Sequence, residues 1–515
     1  MPEDRNGSST EVLVEDLGFA GVVAVARHGA RVALGSEGRK RVRDFRAHVE
    51  RIAHGEAAVY GVTTGFGALA TTRIPPGERQ QLQHAILRSH AAGMGPFVAP
   101  EVVRAMMAIR AKTLAMGHSG GRPELIDALG ALLNADVIPA VPEHGSLGAS
   151  GDLAPLAHIG LCLTGEGWVL EHGKAASAGD ALRRAGLEPL ELEVKEGLAL
   201  INGTDGMLGI LILALEDFRL LLKTADVVAA ISIEALFGTD QVYREELQRL
   251  RPHPGQLASA RNIRRLLEGS EIVASHKSSP HLVQDAYSLR CTPQVYGAAR
   301  DTLEFASQVA HRELLSTTDN PLVLEDGSVE SCGHFHGEPL ALALDFLAIA
   351  AAEVGAIAER RTDRLLDPSR SEGLASFLMP DAGTNSGFMV AQYTAASLAE
   401  ENRRLADPAS TGSLPTSAMQ EDHVSMGWSA GLKLRQVLEN LSRILAIEAL
   451  CTAQALDLRS PLQPSPATGA VRQRIRQRVP FMEEDRFLAE YLKTTEELVR
   501  SGTLAEAAEA VVEIE

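Results

Sequence analysis

Apolar positions in the second half of the chain continue for far longer than one ordinary helix. Residues 205–235 carry almost no breaker beyond Gly206 and Gly209. Residues 339–366 open with a proline, tolerated in a helix's first turn, and run on rich in Ala and Leu. Residues 386–405 and 424–456 follow the same pattern. Each exceeds the mean helix of about 11–12 residues. A helix that is apolar on several faces must be buried on several faces. The pattern predicts a mainly α protein, a long-helix bundle whose core is most simply shared between subunits.

The first 204 residues read differently. Residues 1–12 look like a frayed tail, and residues 22–33 carry a short β-branched run. Helical periodicity marks 36–57, 77–93 and 99–116. Two Gly-rich stretches interrupt it, Tyr60-Gly-Val-Thr-Thr-Gly-Phe-Gly67 and residues 140–152, with helix predicted from Leu153. Residues 268–295 and 366–385 are rich in Ser, Pro, Asp and Gly and read as connections; long connections are often functional. The organisation expected is a smaller mixed region over 1–204, a central bundle over 205–460 and a C-terminal helical segment over 461–515.

Composition narrows the function. Against 49 Lys and Arg stand 67 Asp and Glu, a net charge of −18. Phosphate contacts need clustered basic residues, so nucleic acid and anionic membranes are poor partners. Aromatics at 4% also argue against base stacking. Cys162, Cys291, Cys332 and Cys451 lie far apart with no C-x-x-C pair, which fits neither a zinc ribbon nor a disulfide scaffold. The polar N-terminus shows no signal peptide. The longest strongly apolar stretch noted, Met207 to Leu215, is half a membrane span. A soluble, cytoplasmic protein is expected.

The most informative segment is Gly145-Ser-Leu-Gly-Ala-Ser-Gly-Asp-Leu-Ala-Pro-Leu-Ala-His158. A nucleophile elbow needs G-x-S-x-G, and here the final glycine is missing. A phosphate loop needs a lysine that is absent. An ordinary turn is one reading. The other is chemical. A sharp bend could press the unhindered Gly151 nitrogen against the Ala149 carbonyl carbon. Ring closure with loss of water, and dehydration of Ser150, would leave a methylidene electrophile made from the chain itself. Small residues at all three positions are what that cyclisation requires.

This segment resembles the corresponding segment of the aromatic amino acid lyases, whose prosthetic group, 4-methylidene-imidazol-5-one (MIO), is built from Ala-Ser-Gly. Similarity to the histidine-specific branch extends, in order, from about Tyr60 to Leu456. The resemblance implies a mostly helical fold of the fumarase/aspartase type, a homotetramer, and MIO from Ala149, Ser150 and Gly151 with no metal or nucleotide.

It also implies roles. Tyr60 would take the substrate's β-proton; a free phenol has a pKa of about 10, so nearby dipoles or charges would have to lower it. His90, in Arg88-Ser-His-Ala-Ala-Gly, would contact the substrate ring, although a single histidine in a helical run is more often a surface or core residue. Asn202, after four apolar residues, is a helix cap or, by resemblance, the amide that orients substrate and electrophile. Arg290 would hold the α-carboxylate with its planar fork, with Gln284 and the catalytic-type Tyr287 completing that wall. Phe335 would stand beside the electrophile. Glu421 would accept an imidazole N–H and stabilise the positive ring. Gln392, Glu401 and Asn402 would be structural supports. His334 and His336 have an H-x-H spacing, but no third metal ligand is evident nearby. The family's usual residues are replaced at Thr63, Cys332, His334 and Met419, and Arg88 is a further departure.

The implied reaction is non-oxidative deamination of L-histidine to trans-urocanate and ammonia. An MIO lyase or 2,3-aminomutase acting on tyrosine or another aromatic amino acid is the nearest rival. A cofactor-free lyase of the fumarase type and a helical scaffold without catalysis are the others.

Overall fold

The computed structural model describes residues 11–55, 58–277 and 283–515. The described chain is mainly helical, with short strands in four two-stranded ribbons. It divides into two compact units.

The first unit comprises Met1–Leu213, Ser307–Leu344 and Pro408–Leu432. Its central element is the helix Pro100–Ala115, buried on every face from Val102 onward. Three charges on it are therefore satisfied internally. Arg104 donates to the Val25 carbonyl at 2.8 Å, Lys112 to the Glu15 carbonyl at 3.1 Å, and Arg110 to several carbonyls described below.

The β-branched run at 22–33 lies mostly in a helix, Phe19–His28. Val22, Val25 and Ala26 recur at helical spacing and face inward, and Gly29 ends the helix in the left-handed region at φ 66°. Only Arg31–Ala33 is extended, pairing in parallel with Glu11–Leu13. Glu11 and Val12 thus belong to a strand rather than a tail; the rest of the expected tail, residues 1–10, lies outside the described residues.

The second unit comprises Ala214–Ala306, Asp345–Asp407 and Lys433–Glu515. Its core uses the parts of four long helices, Asp205–Ala235, Thr292–Leu314, Glu338–Leu366 and Gly427–Leu458, that fall in these segments. The pattern over 205–235 matches its helix end to end. The expected start at 424 moves to Gly427, because Met426 turns to φ 56° and the Ser425 hydroxyl accepts the Gly427 N–H. The expected helix at 386–405 is Met389–Leu405. There Asn402 donates to the Val437 carbonyl at 3.2 Å, Asn440 donates to both Glu401 and Asn402, and Gln392 donates to Glu359 at 2.7 Å. The expected connection over 268–295 holds two short helices, Glu271–Ser275 and Tyr287–Arg290, and the start of Thr292–Leu314; residues 278–282 of it lie outside the described residues.

One described helix, Glu338–Leu366, is long and apolar enough to cross a membrane, a feature the sequence reading passed over. Of its most apolar window, 61% is buried within the chain, the packing of a core helix.

Candidate active site

A cavity of about 460 Å³ in the first unit is lined by Tyr60, His90, Ser150, Asn202 and Glu421, with Phe66, Asn320 and Ser417. Five residues from five separate stretches of sequence meet there.

Tyr60 stands in the first Gly-rich loop. Gly61 follows at φ 67°, and a Cβ there would lie 2.6 Å from the Leu198 side chain, so glycine is needed for the turn. The Gly67 N–H donates to the Tyr60 phenol oxygen at 3.1 Å. That dipole points at the atom that gains negative charge when the phenol loses its proton. Thr63 faces the backbone, accepting the Val59 N–H at 2.8 Å, and does not line the cavity.

His90 ends the helix Arg79–His90. Its Nδ1–H donates to the Ile86 carbonyl at 2.9 Å, which leaves Nε2 as the acceptor of a neutral ring. Burial lowers its pKa, against the Ile86 carbonyl and the Glu421 charge, which raise it. Arg88 turns away into an exposed ion pair with Glu166.

The Ala149-Ser150-Gly151 turn is bent back on itself. Gly148 and Gly151 both have positive φ, and Ala149 and Gly151 pair across Ser150. Gly151 also pairs with Gly203, and a Cβ at 151 would lie 2.0 Å from the Gly203 oxygen, so no side chain fits. The Asp152 N–H donates to that same oxygen at 2.7 Å. Asp152 is wholly buried; its carboxylate accepts the Met207 N–H at 2.9 Å and the Ser146 hydroxyl at 3.1 Å. Burial pushes its pKa up to about 7 despite those donors, and the nearby Asp205 charge adds to the rise.

Asn202 caps the short helix Glu196–Ile201. Its Nδ2 donates to the Asn320 carbonyl at 2.8 Å, while its buried Oδ1 has no hydrogen-bond partner among the described residues. Asn202 thus holds the cap position and lines the cavity. Beneath it, Arg110 reaches the carbonyls of Ala199, Asn202 and Thr318 at 3.0–3.1 Å and lies 3.2 Å from Asp205.

Glu421 is tied to Thr416 by paired backbone bonds and by the Thr416 hydroxyl at 3.0 Å. Between them Ser417, Ala418 and Met419 all sit at φ of 50–71°. Such positions cost of order 1–3 kcal/mol each and cluster at working sites. Met419 is exposed, and nothing in the structure explains its presence there.

Gln284, Tyr287, Arg290 and Phe335 do not line this cavity. Tyr287 is 71% exposed, and the Arg290 guanidinium lies over its ring at 4.7 Å. Gln284 and His334 are exposed, and Phe335 is half-buried. Cys332 is bound to the cavity wall, its N–H donating to the Asn320 side chain at 2.9 Å. The structure supplies further metal-type groups beside His336, namely Glu338 and His423, with ligand atoms within 4.8 Å of one another. Both His336 ring nitrogens already face protein groups, the Glu338 N–H at 3.3 Å and the His423 carbonyl at 3.2 Å.

Sequence reasoning missed Arg110, Asn320 and Thr416. Only Arg110 carried a signal, as one of three basic residues inside a largely apolar helical run.

A phenol, an imidazole, an amide and a carboxylate thus surround a constricted Ala-Ser-Gly turn, and similarity to known proteins makes the chain a carbon–nitrogen lyase. The chain belongs to the aromatic amino acid lyase family, whose model matches residues 17–477. A histidine ammonia-lyase from Streptomyces avermitilis is 56% identical over 492 residues, 95% of this chain and 96% of that one. Among solved structures, a tyrosine aminomutase from Streptomyces globisporus is similar at TM-score 0.93 and 38% identity, covering 99% of this chain and 100% of that chain. Histidine ammonia-lyase from Trypanosoma cruzi is similar at TM-score 0.90 and 39% identity, covering 98% and 96%.

Proposed function

We propose that this chain deaminates L-histidine to trans-urocanate and ammonia. The observation that carries the substrate reading is His90 and Glu421 lining one cavity with Tyr60 and Ser150. A protonated imidazole ring offers two N–H groups, and the Glu421 carboxylate and the His90 Nε2 acceptor are suited to take one each. A bare phenyl ring would leave both unanswered. The 56% identical relative bears the name of the same activity.

The residues fit an MIO group. Gly151 admits no side chain, Ala149 is paired to it, and the orphaned Asn202 oxygen faces a polar need. When formed, MIO supplies the electrophile that makes the amine a viable leaving group. The chain's own side chains do the rest. Tyr60, as the phenolate whose charge the Gly67 N–H steadies, takes the β-proton and becomes the phenol. Asn202 orients the reacting amine. General-base action of this kind contributes typically about 10²–10⁴-fold.

Arg290, with Gln284 and Tyr287, binds the α-carboxylate in this reading, and Phe335 closes over the electrophile. Since none of the four lines the cavity of its own chain, the reading makes them contributions from other copies in a homotetramer. A cytoplasmic enzyme with no nucleic-acid or membrane partner completes it.

The test is purified protein with L-histidine, following urocanate by ultraviolet absorbance and counting ammonia. Equal amounts of both support the proposal. The second reading, a tyrosine 2,3-aminomutase, is favoured by the likeness to the Streptomyces globisporus enzyme. It predicts a β-amino acid from tyrosine without stoichiometric ammonia, and silence on histidine.

A further inference from the structure

The helix Tyr287–Arg290 has four residues, too few to hold its shape unaided. It nevertheless displays Tyr287 and Arg290 together. The Arg290 Nε donates to the Asp285 carbonyl at 2.9 Å, and no carboxylate among the described residues forms an ion pair with its guanidinium. A tyrosine and a guanidinium with unused donors are thus fixed side by side.

What fixes them is a buried polar network on the inner side of the turn. The Tyr243 hydroxyl, on a side chain 1% exposed, donates to the Leu289 carbonyl at 2.8 Å. Burial raises the Tyr243 phenol well above its ordinary pKa, so it stays a donor. The Thr292 hydroxyl donates to the Ser288 carbonyl at 3.1 Å, and Arg361 reaches that same oxygen at 3.3 Å. The Asp285 carboxylate, at the start of the turn, accepts the Thr239 N–H at 2.8 Å.

Arg361 is itself held on its other side. Glu448 takes its Nε at 2.5 Å and its Nη2 at 3.0 Å, and the Tyr296 hydroxyl is a further partner. Glu448 also accepts the Ser232 hydroxyl at 2.5 Å. Arg361, Glu448, Tyr296 and Ser232 are all fully buried. A buried ion pair is costly to desolvate, and an apolar pair of the same volume often serves a core as well. The one nitrogen of Arg361 not spent on Glu448 or Tyr296, Nη1, is aimed at the turn.

We infer that Tyr243 and Arg361 are positioning residues: by gripping the Leu289 and Ser288 carbonyls they set the angle at which Arg290 and Tyr287 meet the substrate carboxylate. The inference rests on reading Arg290 as the carboxylate partner.

The variants are Tyr243→Phe, which removes one hydroxyl and keeps the ring, and Thr292→Val, which keeps the β-branched shape and removes the hydroxyl shared with Arg361. Arg290→Met is the reference. Each is assayed for kcat and KM with L-histidine, for inhibition by trans-urocanate, which keeps a carboxylate, and by histamine, which lacks one. Melting temperature and the ultraviolet absorbance of the prosthetic group are followed alongside. Tyr243→Phe is expected to raise KM about five- to tenfold, the scale of one lost hydrogen bond. Urocanate inhibition should weaken in step, while histamine inhibition and prosthetic-group absorbance change less than about twofold.

Loss of histamine and urocanate binding in parallel, or a lowered melting temperature with unchanged KM, would mean a merely structural role and overturn the inference. If Arg290→Met raises KM and neither Tyr243→Phe nor Thr292→Val does, the positioning inference alone falls. If Arg290→Met leaves KM unchanged, the carboxylate reading falls first and takes this inference with it.

Discussion

Gly151 and Gly203 lie so close that a Cβ on the first would rest 2.0 Å from the carbonyl oxygen of the second. The Ala-Ser-Gly turn is thereby pressed against a second strand of backbone, and its shape is imposed from outside. Gly151→Ala should fold with local distortion but fail to cyclise. Ser150→Ala should fold normally and also lack the electrophile. Intact mass is the check: both variants should lack the loss of two waters expected of the parent chain, and both should be inactive on histidine. A Ser150→Ala protein with parental activity would point to a cofactor-free lyase instead.

Tyr60→Phe keeps the edge-to-face contact with Phe66 and removes the oxygen that accepts the Gly67 N–H. Steady-state kinetics should show kcat reduced about 10²–10⁴-fold with KM within a few-fold of the parent. A rise in KM with kcat unchanged would argue against a role in proton transfer.

His90 and Glu421 are the residues to change for specificity. Replacing His90 with Leu should lower kcat/KM for histidine by about 10–100-fold, since a ring nitrogen would lose its partner in a partly buried site. The same variant should gain relative activity on phenylalanine. Because burial lowers the His90 pKa, the neutral ring persists below the ordinary histidine range. The acid limb attributable to His90 should therefore fall below the ordinary histidine value of about 6.5 and be absent from the Leu variant.

Asp152 gives a stability prediction with a defined sign. Its folded pKa of about 7 lies above the unfolded value near 3.8, so the folded chain holds the proton more tightly. The protonated group costs nothing below pH 4, and the burden of ionising it accumulates as pH rises towards 7 and then levels off. Denaturant titrations of the parent and Asp152→Asn should diverge over that window, the parent losing up to roughly 4 kcal/mol relative to the variant. Parallel curves from pH 4 to 8 would show that Asp152 does not ionise with this penalty.

The long helices were legible because their signal is local and repeated. Residues 205–235 declare themselves by a buried pattern that no strand could accommodate. Phe19–His28 is less legible, because Val22 and Val23 are β-branched while the spacing of Val22, Val25 and Ala26 sets the outcome. At the site, Tyr60, Ser150 and Glu421 were legible as members of recognisable motifs. Arg110, Asn320 and Thr416 were not, because their work is done on backbone carbonyls and amides brought to them by the fold. Two departures from family pattern find local reasons in the same way. Thr63 serves its own loop backbone, and Arg88 serves a surface ion pair.

The cavity has one hard wall and one soft one. The Gly151–Gly203 side is locked by close backbone contact, by Asp152 and by Arg110 from beneath. The Glu421 side is carried on three consecutive left-handed residues, Ser417, Ala418 and Met419. Under the proposed function, substitutions on the first side should endanger the chemistry itself. On the same reading, substitutions on the second should re-aim one carboxylate and spare the chemistry, which would give a change of substrate an evolutionary path that need not pass through an inactive enzyme.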